Sequence, residues 1–302
     1  MSKTISTVTG KVYGVERVCS AWDMARSTYY KQIAAAKAAA TAMPRLVARR
    51  RGPKPMISDD ELLQHITEDL ENSPFRGEGH RKVWRRLRYR KGIVASRNRV
   101  LRVMRENNLL SPSRVPAVPA IVHDGTIITD APNIMWGTDA IKVWTVDDGW
   151  GWCFSLVEHW NAECLGFHVC KYGSRFAALE PLSQAMMNIF GSINQDVARG
   201  VALRLDHGSQ YLSDHFQNQI KFWGISPSFA FVKQPQTNGV AERFNRTLKE
   251  QAIYGRIFRN LEEVRQAVAS FIKLYNCEWE LEKLDYRSPL QARKEYITIG
   301  AA

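Results

Sequence analysis

Long apolar runs are missing from this 302-residue chain. No stretch of eighteen or more apolar residues occurs, which excludes a membrane-spanning helix. The opening residues, MSKTISTVTG, have no apolar run after the lysine, so no secretory signal is expected there. Cysteine is scarce as well: Cys19, Cys153, Cys164, Cys170 and Cys277 are scattered and odd in number. None belongs to a CxxC pair or a Cys/His cluster, which argues against a disulfide framework and a structural zinc and for a reducing cytosol. A Gly-x-x-x-x-Gly-Lys loop for ATP is absent, as are internal repeats and a sustained heptad pattern. Apolar residues as such are not lacking. A 45% hydrophobic content with nine tryptophans is enough for a sizeable core, and the length suits one large domain with smaller ones.

Charge is present in excess and unevenly placed. Residues 1–115 hold 24 Lys and Arg against 10 Asp and Glu, while the remaining 187 residues hold 18 against 20. The front third therefore carries all of the net +12. Such a block is the electrostatic footprint of polyanion binding, because each cation placed on a phosphate releases counterions. A solvated basic face is the plain alternative.

Val15 to Trp22 reads as one short helix, residues 23–25 as a tight connection, and a second helix opens with Ser27 as its N-cap. Arg26, Lys31 and Lys37 in or beside it make a helix-turn-helix candidate, with a helical hairpin lacking any DNA role as the alternative. A Pro/Gly-broken basic linker follows at residues 49–55. Ser58 before three acids starts a helix to about Leu70. RKVWRRLRY from Arg81 and a segment capped by Ser96 complete a three-helix unit with a basic face. Residues 111–132 are Pro-rich. WGTDAIKVWTV and WGWCFSLVEHW then flank Asp147-Asp148-Gly149 as a hairpin, and ECLGFHVCKY is a third strand. A helix over Phe176–Phe190, a strand VALRLD, a helix over Ser213–Trp223, a strand ISPSFAF and a long helix over Val240–Tyr254 follow. That order reads as a mixed α/β sheet covered by helices.

Three acids occupy informative places. Asp139 lies inside the first strand, Asp206 ends the short strand VALRLD, and Glu242 lies in the first turn of the long helix. An acid within an apolar strand is costly to desolvate unless it is paired or bound to a cation. Strand-borne carboxylates meeting one from a helix form the oxygen cage that Mg2+ prefers. Two such ions clamp both sides of a scissile phosphate. Singly, Asp206 is equally an Asx turn before His207-Gly208, and Glu242 an acid favoured by a helix N-terminus. The 35 residues between Asp206 and Glu242, and Lys249 seven residues beyond Glu242, join them into one pattern.

With WGTD at 136–139, LDHGSQY at 205–211, NGVAERFNRTLKE at 238–250 and YN…LDYRSP at 275–289, the chain resembles the integrase-core superfamily of DDE transposases and retroviral integrases. In particular it looks like the catalytic second-frame subunit of insertion sequences of the IS-three type. SPFRGEGHRKVWRRLR at 73–88 with VLRVMRENNLL at 100–110 matches the DNA-binding region ahead of the core in such subunits. The resemblance implies an α/β ribonuclease H-like catalytic core, a mixed five-stranded sheet with flanking helices, preceded by small all-α DNA-binding modules. The corresponding division is a helix-turn-helix-like segment 1–43, a basic linker 44–57, a three-helix module 58–110, a Pro-rich linker 111–132, the core 133–257 and its extension 258–302.

The resemblance further implies metal-dependent cleavage at element ends and strand transfer into target DNA. Asp139, Asp206 and Glu242 would hold two Mg2+ ions, with Mn2+ able to substitute, and Lys249 would contact element-end DNA. Arg243 and Arg246 on the same helix are expected at phosphates, and Asn238 is expected to cap that helix beside a mobile loop at 234–238. In the front module Arg81, Lys82, Arg85, Arg86, Arg97 and Arg99 are the DNA candidates. Double-stranded DNA, a homodimer or higher oligomer on DNA, and a first-frame helix-turn-helix and leucine-zipper protein are the implied partners, in a bacterial cytoplasm. A regulator without catalysis and a nuclease without strand transfer are the alternatives. Trp279 and Leu281 depart from the family pattern, standing where Arg and His are usual. No paired His/Cys set precedes residue 120, unlike retroviral integrases. His207 is read as structural or substrate-positioning, His159 and His168 as satisfied core or edge residues. Trp136, Trp144, Trp150, Trp152 and Trp160 are read as mostly core, with at most one touching DNA.

Overall fold

A computed structural model describes residues 3–41, 56–111, 128–229 and 238–300. The two linkers fall largely outside the described residues, as does the loop at 234–237. The chain divides into two compact units, residues 1–54 and 55–302. In the first, α1 (Gly14–Ala21) and α2 (Arg26–Thr41) form the expected pair, with Glu16 and Arg26 3.7 Å apart. Ser27 lies inside α2 rather than capping it, because the helix already begins at Arg26.

The second unit opens with three helices, α3 (Asp59–Glu71), α4 (His80–Tyr89) and α5 (Arg97–Glu106). Ser58 and Glu61 form a reciprocal capping box on α3, and Ser96 accepts from Arg99 N to start α5. Their apolar stripes close on Leu62, Ile66, Val83, Leu87, Val100 and Met104, all buried.

Five strands follow, with four helices between and after them: β1 (Met135–Thr145), β2 (Gly149–Glu158), β3 (Cys164–Cys170), α6 (Arg175–Phe190), β4 (Ala202–Leu205), α7 (Ser209–Leu212), α8 (Asp214–Phe222), β5 (Ser226–Phe229) and α9 (Gly239–Leu248). They make one sheet in the order β3-β2-β1-β4-β5, antiparallel among β1, β2 and β3 and parallel from β1 through β4 to β5. This is the expected mixed five-stranded sheet with flanking helices. Period-two alternation gives it two apolar faces. One packs Trp136, Phe154 and Leu203 against α6 and α8, the other Ile141, Val143 and Val157 against α9 and the next helix. Gly166 allows the close approach of α6: a Cβ there would lie 2.3 Å from the Pro181 carbonyl oxygen.

The long helix predicted over 240–254 is α9 followed by a π-helical turn at Lys249–Ile253. Beyond it lie α10 (Leu261–Glu278) and α11 (Pro289–Gly300), which the sequence reading left unassigned. Arg293 of α11 pairs with Glu158 and Glu163, two buried acids at the β2–β3 corner, and so fastens the extension to the sheet. Two readings of single residues need correction. His159 is buried, yet neither ring nitrogen has a hydrogen-bond partner among the described residues. Trp136 is core, but Trp144 and Trp150 are 49% and 60% exposed at the tip of the β1–β2 hairpin, well past the three residues where β4 supports β1. Among the described residues no helix is long and apolar enough to cross a membrane.

Candidate active site

Parallel pairing brings the two aspartates together. Gly137 of β1 lies opposite Arg204 of β4, so Asp139 and Asp206, each two residues further on, stand beside each other across the two strands. Asp206 turns the chain immediately, its Oδ1 accepting Gly208 N at 2.8 Å, so the Asx turn and the strand-end carboxylate are one feature. Helix α9 crosses the same face of β1 and supplies Glu242.

Two asparagines, one near each end of α9, stitch that helix to β1. Asn238 Nδ2 donates to Thr138 O at 3.0 Å, the carbonyl just before Asp139. Asn245 Nδ2 donates to Asp139 Oδ2 at 3.0 Å, while its own Oδ1 accepts Ser155 Oγ at 2.9 Å. Ser155 pairs directly with Asp139 across β1 and β2, so strand register, hydroxyl and amide together orient the carboxylate. The other oxygen, Asp139 Oδ1, accepts Ala140 N at 2.7 Å. Asn245 follows Glu242 by three and so shares its helical face, a spacing that could have drawn attention to it in the sequence. Asn238 was expected to cap α9; its side chain makes no cap hydrogen bond because its amide is committed to β1. Gly137 is required beside it, since a Cβ there would lie 2.9 Å from Asn238 Oδ1 and 3.1 Å from His159 Nε2.

Burial pushes the Asp139 carboxyl above its ordinary range, and the negative field of Asp206 adds to it, against the Asn245 and Ala140 hydrogen bonds and the charge of Lys249. Glu242 is raised for the same two kinds of reason, burial first and Asp139 second, with Arg246 opposing. Asp139 is thus the centre of a like-charge group. An open cleft of about 310 Å³ is lined by Asp139, Glu242, Asn245, Arg246, Lys249 and Tyr254, among others, with Asp206 outside its wall. Among the described residues no three His, Cys, Asp or Glu side chains are gathered closely enough to hold a metal ion. The donors themselves suit a hard divalent cation: all are carboxylate oxygens, and burial, with repulsion from a neighbouring acid, disfavours the charged form of two of them. Lys249 and Arg246 line the cleft, whereas Arg243 is exposed outside its wall and Asn238 is buried.

The cations of α4 are placed differently from expectation. Arg86 is buried against Asp69 at 2.7 Å and Glu78 at 2.8 Å. Lys82 lies 3.3 Å from Glu78 and 3.1 Å from the centre of the Trp279 ring. Arg81 and Arg90 pair with Glu282 and Glu280, and Arg85 stacks on Tyr89 and Tyr286. In α5, Arg99 pairs with Asp59 at 2.7 Å, while Arg97 is exposed. The basic face of α4 is therefore spent largely on the segment after α10, because that segment offers carboxylates and an indole. Trp279, which departs from the family pattern, is the ring that receives Lys82. An arginine in its place would repel that ammonium group.

Two family models match stretches of the chain. The HTH-like domain family matches residues 58–117, and the integrase core domain family matches residues 223–289, a span that includes Glu242 but neither aspartate. The transposase for insertion sequence element IS629 of Shigella sonnei is 26% identical over 299 residues, covering 95% of this chain and 94% of that protein. The transposase InsD for insertion element IS2A/D/F/H/I/K of Escherichia coli is 28% identical over 256 residues, 79% of each chain. Among solved structures, the catalytic core domain of BIV integrase is 16% identical with a TM-score of 0.41, over 56% of this chain and 99% of that one. The simian T-cell lymphotropic virus intasome in complex with PP2A regulatory subunit B56 gamma gives 13% and 0.44, over 78% and 74%. With an HTH-like domain match ahead of an integrase core domain match, and transposases matching most of its length, the chain is similar to transposases with an integrase core.

Proposed function

We propose that the chain cuts DNA at the ends of an insertion sequence and joins the freed 3′ ends to target DNA, with Asp139, Asp206 and Glu242 as its metal-holding catalytic residues. The observation that carries this reading is the meeting of Asp139 with Glu242, Arg246 and Lys249 in one cleft, with Asp206 just past the end of the adjoining strand. Two Mg2+ ions, or Mn2+, would supply activation of the attacking oxygen and neutralisation of the leaving one. Asp139 is the shared anchor, since it feels the charge of Asp206 and its own charge acts on Glu242. Asn245 fixes which way its carboxylate faces, and Lys249 and Arg246 offer cationic contacts to the scissile strand at the cleft wall. Neither Tyr nor Ser is needed as a nucleophile. Arg97, exposed and without an ion pair among the described residues, is a front-module cation open to element-end phosphates. Pairing two ends calls for at least a dimer on DNA, and a first-frame helix-turn-helix and leucine-zipper protein is a candidate partner.

The test uses labelled duplexes carrying the boundary sequences that flank this reading frame, with Mg2+, comparing the parent protein with Glu242→Gln. Joined products that vanish in the variant support a transposase. Cleavage without joining restricts the activity to a nuclease, and a shifted duplex with neither product overturns the enzymatic reading.

A further inference from the structure

The tip of the β1–β2 hairpin carries a surface that the cleft does not use. Register places Lys142 opposite Trp152 and Trp144 opposite Trp150. Alternation turns all four side chains to one side of the ribbon, away from the face that bears Asp139 and Ile141. Lys142 Nζ lies 4.8 Å from the centre of the Trp152 ring. Trp144 and Trp150 are about half exposed, at 49% and 60%, and Tyr172 beyond β3 is 77% exposed. The β3–α6 corner adjoins the block, because a Cβ at Gly173 would lie 2.6 Å from the Trp152 ring. Lys171, next to Tyr172, donates to the Asp148 carbonyl and not to a carboxylate. The acids of the turn are engaged elsewhere: Asp147 Oδ2 accepts Arg259 Nε at 3.2 Å and Asp148 Oδ2 accepts Leu261 N at 2.7 Å.

Two exposed indoles on directly opposed residues, with the Lys142 ammonium on the same side and paired with no carboxylate among the described residues, suit the stacking of bases and the neutralisation of a phosphate between them. A second copy of the chain fits less well. Two-fold pairing of this face would set Lys142 against its own copy without an acid between them. We propose that Trp144 and Trp150, with Lys142, bind a single-stranded segment of DNA during strand cutting and joining. This rests on the reading of the chain as a DNA enzyme, but the surface lies on the opposite side of the ribbon from the cleft.

A thymidine oligonucleotide carrying 5-iododeoxyuridine, photocrosslinked to the full chain and mapped by mass spectrometry, tests the assignment. Adducts are expected at Trp144 or Trp150. The double variant Trp144→Ala, Trp150→Ala should bind the oligonucleotide at least tenfold more weakly, and Trp144→Phe, Trp150→Phe should restore most of the affinity. Thermal unfolding checks that the double variant is folded. Adducts confined to other segments, or unchanged affinity in the alanine variant, overturn the proposal. A change in sedimentation from oligomer to monomer with oligonucleotide affinity intact also overturns it, in favour of a contact between copies. Loss of all cleavage and joining by the parent protein, with crosslinks still at the hairpin, would remove the enzymatic reading and leave this surface standing.

Discussion

Asn245 shows how little covalent change separates a poised carboxylate from a misdirected one. Its amide holds Asp139 Oδ2, and its own oxygen is held by Ser155. Asn245→Leu keeps the branching and the number of heavy atoms of the side chain and removes both bonds. The partners that orient metal ligands typically contribute 10–100-fold in affinity. Isothermal titration with Mn2+ should therefore show a weakening of roughly that size, about 10–100-fold, with the unfolding temperature little changed. Equal Mn2+ affinity in parent and variant would remove Asn245 from the site. Gly137→Ala acts from the other end of α9. The added methyl must displace Asn238 Oδ1 or His159 Nε2, so the Asn238–Thr138 bond is strained or lost. Overpacking of this kind costs about 1–3 kcal/mol, measurable by urea unfolding, and adding Asn238→Ala should recover part of it by clearing the space. Of these residues the sequence made the three acids and Lys249 legible, because their spacing is long-range and distinctive. Ser155 was not legible, since its role depends on a strand register that no local signal sets.

At the scale of elements, the contact between α4 and the segment after α10 is the least expected feature. Amphipathic periodicity correctly separated an apolar from a basic face on α4, but it cannot tell solvent or DNA from a neighbouring acidic segment. Glu280, Glu282 and Trp279 lie some two hundred residues away in the chain from their partners Arg90, Arg81 and Lys82. Trp279→Arg, which restores the usual family residue, should destabilise this chain by about 2 kcal/mol through loss of the cation–ring contact and repulsion of Lys82. Denaturant unfolding checks it, and an unchanged midpoint would contradict the docking. Burial, against the pull of Glu78, brings the Lys82 ammonium down to about 8. Between that value and the unfolded one near 10.4, the unfolded chain binds more protons, so stability rises with pH across this window. Lys82→Arg, which does not titrate there, should show a shallower rise between pH 8 and 10. Lys283, also brought down to about 8 by burial, contributes equally to both proteins and leaves the difference intact. Arg293→Met leaves Glu158 and Glu163 buried without their cation and should cost about 3–5 kcal/mol, read as a lowered unfolding midpoint.

Across the whole molecule, strand and helix order was legible because the long strands are aromatic and β-branched, and helices begin at recognisable caps such as Ser58, Ser96 and Ser213. Helices α10 and α11 were not legible, because they carry only scattered motif residues and are set by long-range packing. The charge asymmetry of the chain was legible as a total and misleading in detail, since much of α4 spends its cations within the protein. What the fold assembles around α9 and the β1–β4 edge is an oxygen-lined, cation-edged cleft, and the central claim is that Asp139, Asp206 and Glu242 hold divalent metal there. Anomalous diffraction from crystals soaked in Mn2+ addresses it directly. The account predicts anomalous peaks between Asp139 and one or both of Asp206 and Glu242, absent from Asp139→Asn crystals; peaks only at other carboxylates, or persisting unchanged in that variant, would contradict it.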